Sequence, residues 1–198
     1  MRVLVFVYPL SENIKSFFEI KKTDYIIAVD SAVEILIKQN ITPNLAVGDF
    51  DSLSDHSLLS NIKTVKLAEI KDETDSFVAI EEAFKLTDDV IMIGGFCGER
   101  IEHFIAHLLL FNKFPKLIIM SENSVVKLLE KGVYNIQTQN YISLFSYEES
   151  LINLKGFKYN LENYLLKPYD PLCISNEVID KGTIEVVRGK ILYIESKK

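Results

Sequence analysis

A change of rhythm two thirds of the way along this chain limits its fold more than any other feature. From the N-terminus, short β-rich apolar runs at residues 3–7, 25–29, 45–47, 64–67, 90–93 and 116–120 alternate with helical patterns at residues 32–39, 74–86 and 100–112. The second helix is the clearest: Phe77, Ile80 and Phe84 recur at helical spacing, Thr74 is a suitable N-cap, and acids fill the first turn. Strand, helix and strand in repetition predict an α/β layer structure with a largely parallel sheet, Rossmann-like in outline. Beyond about Ser121 the helical period disappears. Short strands follow at residues 125–129, 132–136, 141–145, 156–159, 183–187 and 191–194, punctuated by Gly, Asn and Lys. The last two, joined through Val187-Arg188-Gly189-Lys190, read as a hairpin. A boundary at residues 121–126 is therefore expected, with residues 1–123 forming the α/β domain and 124–198 a smaller all-β domain.

Composition narrows the function. With 48% hydrophobic residues in 198, the chain can bury a substantial core. A formal charge of -6, from 22 basic and 28 acidic side chains, repels phosphate polymers and anionic membranes, so neither nucleic acid nor a membrane is an expected partner. Any anionic substrate then needs a local cation, from clustered Lys and Arg or from a bound metal. No apolar stretch approaches the roughly 20 residues that span a bilayer. The opening Met1-Arg2-Val3-Leu4-Val5-Phe6-Val7-Tyr8-Pro9 is expected to be a buried strand, not a cleaved leader. Two distant thiols, Cys97 and Cys173, fit a reducing cytoplasm better than a disulfide or a zinc site.

In open α/β sheets ligands gather beyond the carboxyl ends of the strands, so the polar residues there carry the chemistry. Asp30 follows the second run; Asp49 and Asp51 follow the third. Lys71, Asp72, Thr74 and Asp75 follow the fourth, and Gly94, Gly95 and Gly98 the fifth. If residues 48–52 are locally extended, Asp49 and Asp51 project to one side and can share a hard cation such as Mg²⁺. A loop rich in turn-forming residues explains the pair equally well. Asp72 and Asp75 add carboxylates to the same rim, and converging acids repel unless a cation joins them. The glycine-rich turn into a helix is a setting for phosphate, although it is neither a Walker A loop nor a dinucleotide fingerprint. Arg100 offers a planar fork for phosphate oxygens, and His103 a second polar group on that helix. His107 reads as structural, and His56 has no evident partner.

Taken together these residues resemble the thiamine pyrophosphokinase family. The resemblance is carried by an acidic strand end at Asp30, then P-x-x-x-x-G-D-F-D-S over Pro43 to Ser52, then Lys71-Asp72-Glu73-Thr74-Asp75 at a helix start. It continues with a glycine-rich turn into Arg100-Ile101-Glu102-His103, and with Ser143-Leu144-Phe145, the segment from Gly156 to Leu161, and Ser175-Asn176-Glu177. The chain departs from the pattern at Ser31-Ala32, where Gly-Gly or Gly-Ala is usual, and at Glu99 and Glu102.

The resemblance implies an ATP-binding catalytic α/β domain, a thiamine-binding β-sandwich domain, and a homodimer with sites between subunits. It also implies transfer of pyrophosphate from ATP to the hydroxyl of thiamine, leaving AMP. By position, Asp49, Asp51 and Asp75 would hold Mg²⁺ while Asp30, Ser31, Lys71, Asp72, Thr74 and Arg100 position the nucleotide. Ser175 and Asn176 would meet thiamine. Asp72 is the first candidate for a general base and His103 the second. The metal machinery does not itself choose the acceptor, so a pyrophosphokinase for another hydroxymethyl heterocycle, such as a pterin alcohol, is the alternative enzyme. A module that binds nucleotide or thiamine without turnover is the alternative outside enzymes.

Overall fold

The computed structural model describes residues 1–68, 72–96 and 100–198. The chain is a sheet-rich α/β protein that divides into two compact units, Met1–Glu122 and Asn123–Lys198.

The first unit is built on six strands: β1 (Val3–Val7), β2 (Tyr25–Val29), β3 (Leu45–Gly48), β4 (Lys63–Lys66), β5 (Val90–Gly94) and β6 (Ile118–Met120). They run in the order β6-β5-β1-β2-β3-β4, with every adjacent pair parallel. Every residue of β1, β3 and β5 is buried, which only a sheet covered on both faces permits. Three helices, α1 (Ala32–Lys38), α2 (Asp75–Leu86) and α3 (Ile101–Leu109), form most of the remaining regular structure, with short 3-10 turns between. Helix α1 ends where Asn40 takes a φ of 56°, a left-handed stop that Asn tolerates.

Helix α2 packs on β1, β2, β3 and β5. Thr74 caps it, its hydroxyl accepting the Phe77 N–H at 3.2 Å. Its buried stripe is Ser76, Ala79, Ile80 and Ala83, so that of the Phe77, Ile80 and Phe84 series that the sequence suggests only Ile80 belongs to it. Small side chains let the helix lie close to the sheet, and Phe77 and Phe84 turn sideways onto Phe114, with ring centroids 6.0 and 4.9 Å away. Leu4, Phe6, Ile26, Ala28, Val33, Leu36 and Phe50 belong to one hydrophobic core cluster of this unit.

The second unit comprises β7 (Ser124–Leu129), β8 (Gly132–Ile136), β9 (Tyr141–Ser146), β10 (Ser150–Phe157), β11 (Leu161–Leu166), β12 (Asn176–Arg188) and β13 (Ile191–Ser196). All its recorded pairings are antiparallel. Ile152, Leu154, Phe157, Ile184, Val186, Ile191 and Tyr193 are among the core residues beneath them. Two readings of the sequence fail here. Residues 156–159 are the end of one strand and a turn, because Asn160 accepts the Phe157 N–H and reverses the chain. β12 and β13 do not form a hairpin, because β13 is already paired along both edges, to β7 and to β9.

Candidate active site

The order of the parallel strands places a crevice where β1 is followed on one side by β2 and on the other by β5. A cavity of about 790 Å³ opens there. Its wall is made by the residues that leave the strands: Val7, Tyr8 and Pro9 after β1, Asp30 and Ser31 after β2, Asp49 and Asp51 after β3, and Gly95 and Phe96 after β5. Glu73, Thr74, Asp75 and Ser76 come from the start of α2, and Arg100, His103, Phe104 and His107 from α3 and the residue before it.

Backbone close approach explains two glycines of this rim. A β-carbon on Gly48 would lie 1.8 Å from Asp30 Oδ1, so the Asp30 carboxylate sits directly over that α-carbon. A β-carbon on Gly94 would lie 2.2 Å from the Val7 carbonyl and 2.7 Å from that of Pro9, and Gly95 N–H donates to the Pro9 carbonyl at 3.0 Å. The ends of β1, β2, β3 and β5 are thus stitched together beneath the cavity.

The segment 48–52 is not extended. Phe50 takes a φ of 63° and drives its ring into the core at 2% exposure, which makes the loop turn through Asp49 and Asp51. Asp49 accepts the Asp51 N–H at 3.2 Å, and Asp30 accepts the Phe50 N–H at 3.4 Å. The turn reading of G-D-F-D-S is therefore the correct one, and it still aims both acids at the cavity. Asp30, Asp49, Asp51, Glu73 and Asp75 give the wall a hard oxygen character suited to Mg²⁺. No three His, Cys, Asp or Glu side chains converge on a single point among the described residues. That arrangement remains compatible with Mg²⁺, which keeps several waters and is usually held by one or two carboxylates together with substrate phosphates.

Arg100 reaches the cavity with its Nε donating to Glu102 Oε1 at 2.8 Å. The Arg100 hydrogen bond holds the Glu102 carboxyl below its usual range. Both side chains are exposed, so a phosphate can compete for the guanidinium at little cost.

The cavity brings together Asp30, Ser31, Asp49, Asp51, Thr74, Asp75, Arg100 and His103. Asp72 is exposed and is not among the cavity's lining residues. Lys71, Cys97, Gly98 and Glu99 lie outside the described residues. Ser175 and Asn176 belong to the second unit. Ser175 is exposed at a φ of 55°, its N–H donating to Ser143 Oγ at 3.0 Å. Asn176, 5% exposed, spends its amide on the backbone: Nδ2 donates to the Tyr159 carbonyl at 2.8 Å and Oδ1 accepts the Tyr159 N–H at 3.1 Å. Glu73 and Ser76 also line the cavity without having been candidates in the sequence, although Glu73 stands inside the motif of residues 71–75 and Ser76 directly follows it.

A phosphate-handling α/β enzyme is the class that this strand order and acid-walled crevice define. Residues 18–120 match the sequence profile of the thiamin pyrophosphokinase catalytic domain, and residues 130–191 that of the thiamin pyrophosphokinase vitamin B1 binding domain. Thiamine pyrophosphokinase of Bacillus subtilis is 30% identical over 184 residues, covering 86% of both chains. The crystal structure of the Bacillus subtilis thiamine pyrophosphokinase superposes with a TM-score of 0.85 at 26% identity over the whole of both chains. That of Geobacillus thermodenitrificans thiamin pyrophosphokinase gives 0.86 at 25% identity, covering 100% of this chain and 98% of the other. The chain belongs to the thiamine pyrophosphokinase family.

Proposed function

We propose that this chain is a working thiamine pyrophosphokinase, binding ATP and Mg²⁺ in the cavity of residues 1–123 and thiamine through residues 124–198. The observation that carries the reading is the crevice itself, with Asp30, Asp49, Asp51, Glu73 and Asp75 facing Arg100 where the sheet order reverses. The thiamine hydroxyl oxygen bonds to the β-phosphorus of ATP and the bond from that phosphorus to the α–β bridging oxygen breaks. AMP leaves with the electron pair, and the hydroxyl proton is lost. Catalysis of such a transfer is mainly alignment and neutralisation of charge. Bound Mg²⁺ supplies neutralising charge on the polyphosphate; Asp49, Asp51 and Asp75 are the residues that would hold it.

Arg100 exchanges Glu102 for a phosphate oxygen, while Asp30, Ser31, Lys71 and Thr74 orient the nucleotide. His103 is the better candidate to take the hydroxyl proton, since it lines the cavity and Asp72 does not. In the second unit Ser175 meets the thiamine ring. Asn176 acts behind it, fixing the Tyr159 backbone. A Rossmann-like layering of the first unit, a β-sandwich for the second, a cytoplasmic location and a homodimer complete the proposal.

The test is product analysis. Purified protein given ATP, Mg²⁺ and thiamine should yield AMP and thiamine diphosphate by chromatography. Release of ADP would contradict pyrophosphoryl transfer, and AMP formed only with a pterin alcohol would change the acceptor.

A further inference from the structure

His107 is 2% exposed, and both of its ring nitrogens are engaged. Nδ1 lies 3.0 Å from the Gly95 carbonyl, and Nε2 lies 3.1 Å from Ser76 Oγ. A carbonyl can only accept, so Nδ1 carries the hydrogen and, in the neutral ring, Nε2 is left with a lone pair. Ser76 must then donate its hydroxyl hydrogen to Nε2. The next contact, Thr74 Oγ1 to Ser76 Oγ at 3.2 Å, can be filled only from the Thr74 hydroxyl. Thr74 Oγ1 in turn accepts the Phe77 N–H at 3.2 Å, as the cap of α2. Every hydrogen from the glycine turn after β5 to the start of α2 is thereby assigned, in one direction, along Thr74, Ser76, His107 and Gly95. Burial keeps the ring neutral by lowering its proton affinity, the Gly95 carbonyl opposing this and His103 adding to it.

We infer that His107 is a positioning residue: through Ser76 it fixes the Thr74-Asp75 start of α2, and the direction of the Thr74 hydroxyl, relative to the Gly95 turn across the cavity floor. The inference rests on the pyrophosphokinase reading for the reaction it serves, but the hydrogen-bond chain can be tested without it. All five residues line the same cavity, so a shift of this link moves a metal-facing acid and a phosphate-facing turn together. Displacements of about 1 Å in such frameworks cost on the order of a hundredfold in rate. The order of donors also means that Thr74 offers the cavity an oxygen lone pair, suited to a water or cation, and turns its hydrogen away from a phosphate.

Two measurements test this. Nitrogen-15 NMR of the whole protein should show His107 as the Nδ1–H tautomer at neutral pH, with the Nε2 resonance moving in Ser76→Ala; an Nε2–H ring or an imidazolium would overturn the chain whatever the activity. In kinetics, His107→Phe and Ser76→Ala should each lower kcat by about tenfold or more with thiamine affinity unchanged, and the double variant should lose no more than His107→Phe alone. His107→Gln, whose side-chain oxygen can reach the Ser76 hydroxyl, should recover kcat better than His107→Phe does. Wild-type kcat in folded His107→Phe or Ser76→Ala, or fully additive losses, would overturn the inference while leaving AMP formation by the parent protein intact. A parent protein that forms no AMP would instead overturn the pyrophosphokinase reading, and with it the catalytic purpose of the link.

Discussion

At the scale of single residues the site depends on positions where a side chain is absent as much as on those where one is present. Asp30 occupies the space that any β-carbon at Gly48 would need, and its carboxylate receives the Phe50 N–H that holds the Asp49-Phe50-Asp51 turn. Gly48→Ala should therefore lower kcat/KM by on the order of a hundredfold through misplacement of those acids. Steady-state kinetics with ATP and thiamine would show it, and a fully active variant would mean that the turn tolerates a displaced Asp30. Asp49→Asn or Asp51→Asn should nearly abolish turnover without unfolding the chain. The double variant provides the decisive assay, since activity in it would rule out both as metal ligands.

Asn176 is a buried side chain engaged by the backbone. Its amide is spent on the Tyr159 backbone, so Asn176→Ala should cost about 1–3 kcal/mol of stability by leaving buried groups unpaired. Ser175→Ala, exposed, should leave denaturant stability unchanged and weaken thiamine binding in calorimetry. The opposite pattern would exchange their roles.

At the scale of elements, ends matter more than middles. Arg2, just before β1, and Asp24, just before β2, tie the entrances of two parallel strands: Nε donates to Oδ1 at 3.1 Å and a terminal nitrogen to Oδ2 at 2.6 Å. Burial pushes the Asp24 carboxyl up, but the hydrogen bonds from Arg2 and from the Lys21 N–H outweigh it and leave the group below its usual value. A lowered folded value means that stability is present above the unfolded value of 3.8 and is lost as the pH falls through the folded one. Asp24→Asn should thus destabilise the protein by about 1–3 kcal/mol at neutral pH. The gap from the parent should close below the ordinary Asp range, as read by denaturant titrations at several pH values, and a gap that stays constant with pH would remove the ionic contribution. The same scale shows where periodicity misleads. Phe77 and Phe84 sit at helical spacing, yet the stripe against the sheet is Ser76, Ala79, Ile80 and Ala83, because a helix lying this close to strands favours small residues. Pattern reading favours the large apolar residue and passes over Ser76, which holds His107.

At the scale of the whole molecule, a protein of net charge -6 with an acidic cavity must bind a polyphosphate against its own field. ATP affinity should therefore fall by about tenfold or more when divalent ions are chelated, and return with Mg²⁺, since like charges at contact distances oppose binding by about 1–4 kcal/mol in wet to half-buried surroundings. Calorimetry with and without chelator measures this, and equal affinity in both would leave the carboxylates without a metal role. The residues that line the cavity are legible in sequence, because strand ends, turn formers and helix caps announce themselves through short local patterns: Asp30, Asp49, Asp51, Thr74, Asp75, Arg100 and His103 all line one cavity.

What sequence alone determined was the strand and helix order of the first unit and the placing of its polar ends, since both follow from local backbone preference and hydrophobic period, whereas β11 in the second unit carried no such signal. Tertiary structure decided what those patterns leave open. It turned the Asp49-Phe50-Asp51 loop about a buried ring, paired β13 with β7 and β9 in place of β12, and closed His107 onto Ser76 and Gly95. Each of these depends on contacts between residues distant in the chain, whose partners are chosen by packing and by the need to satisfy every buried polar group.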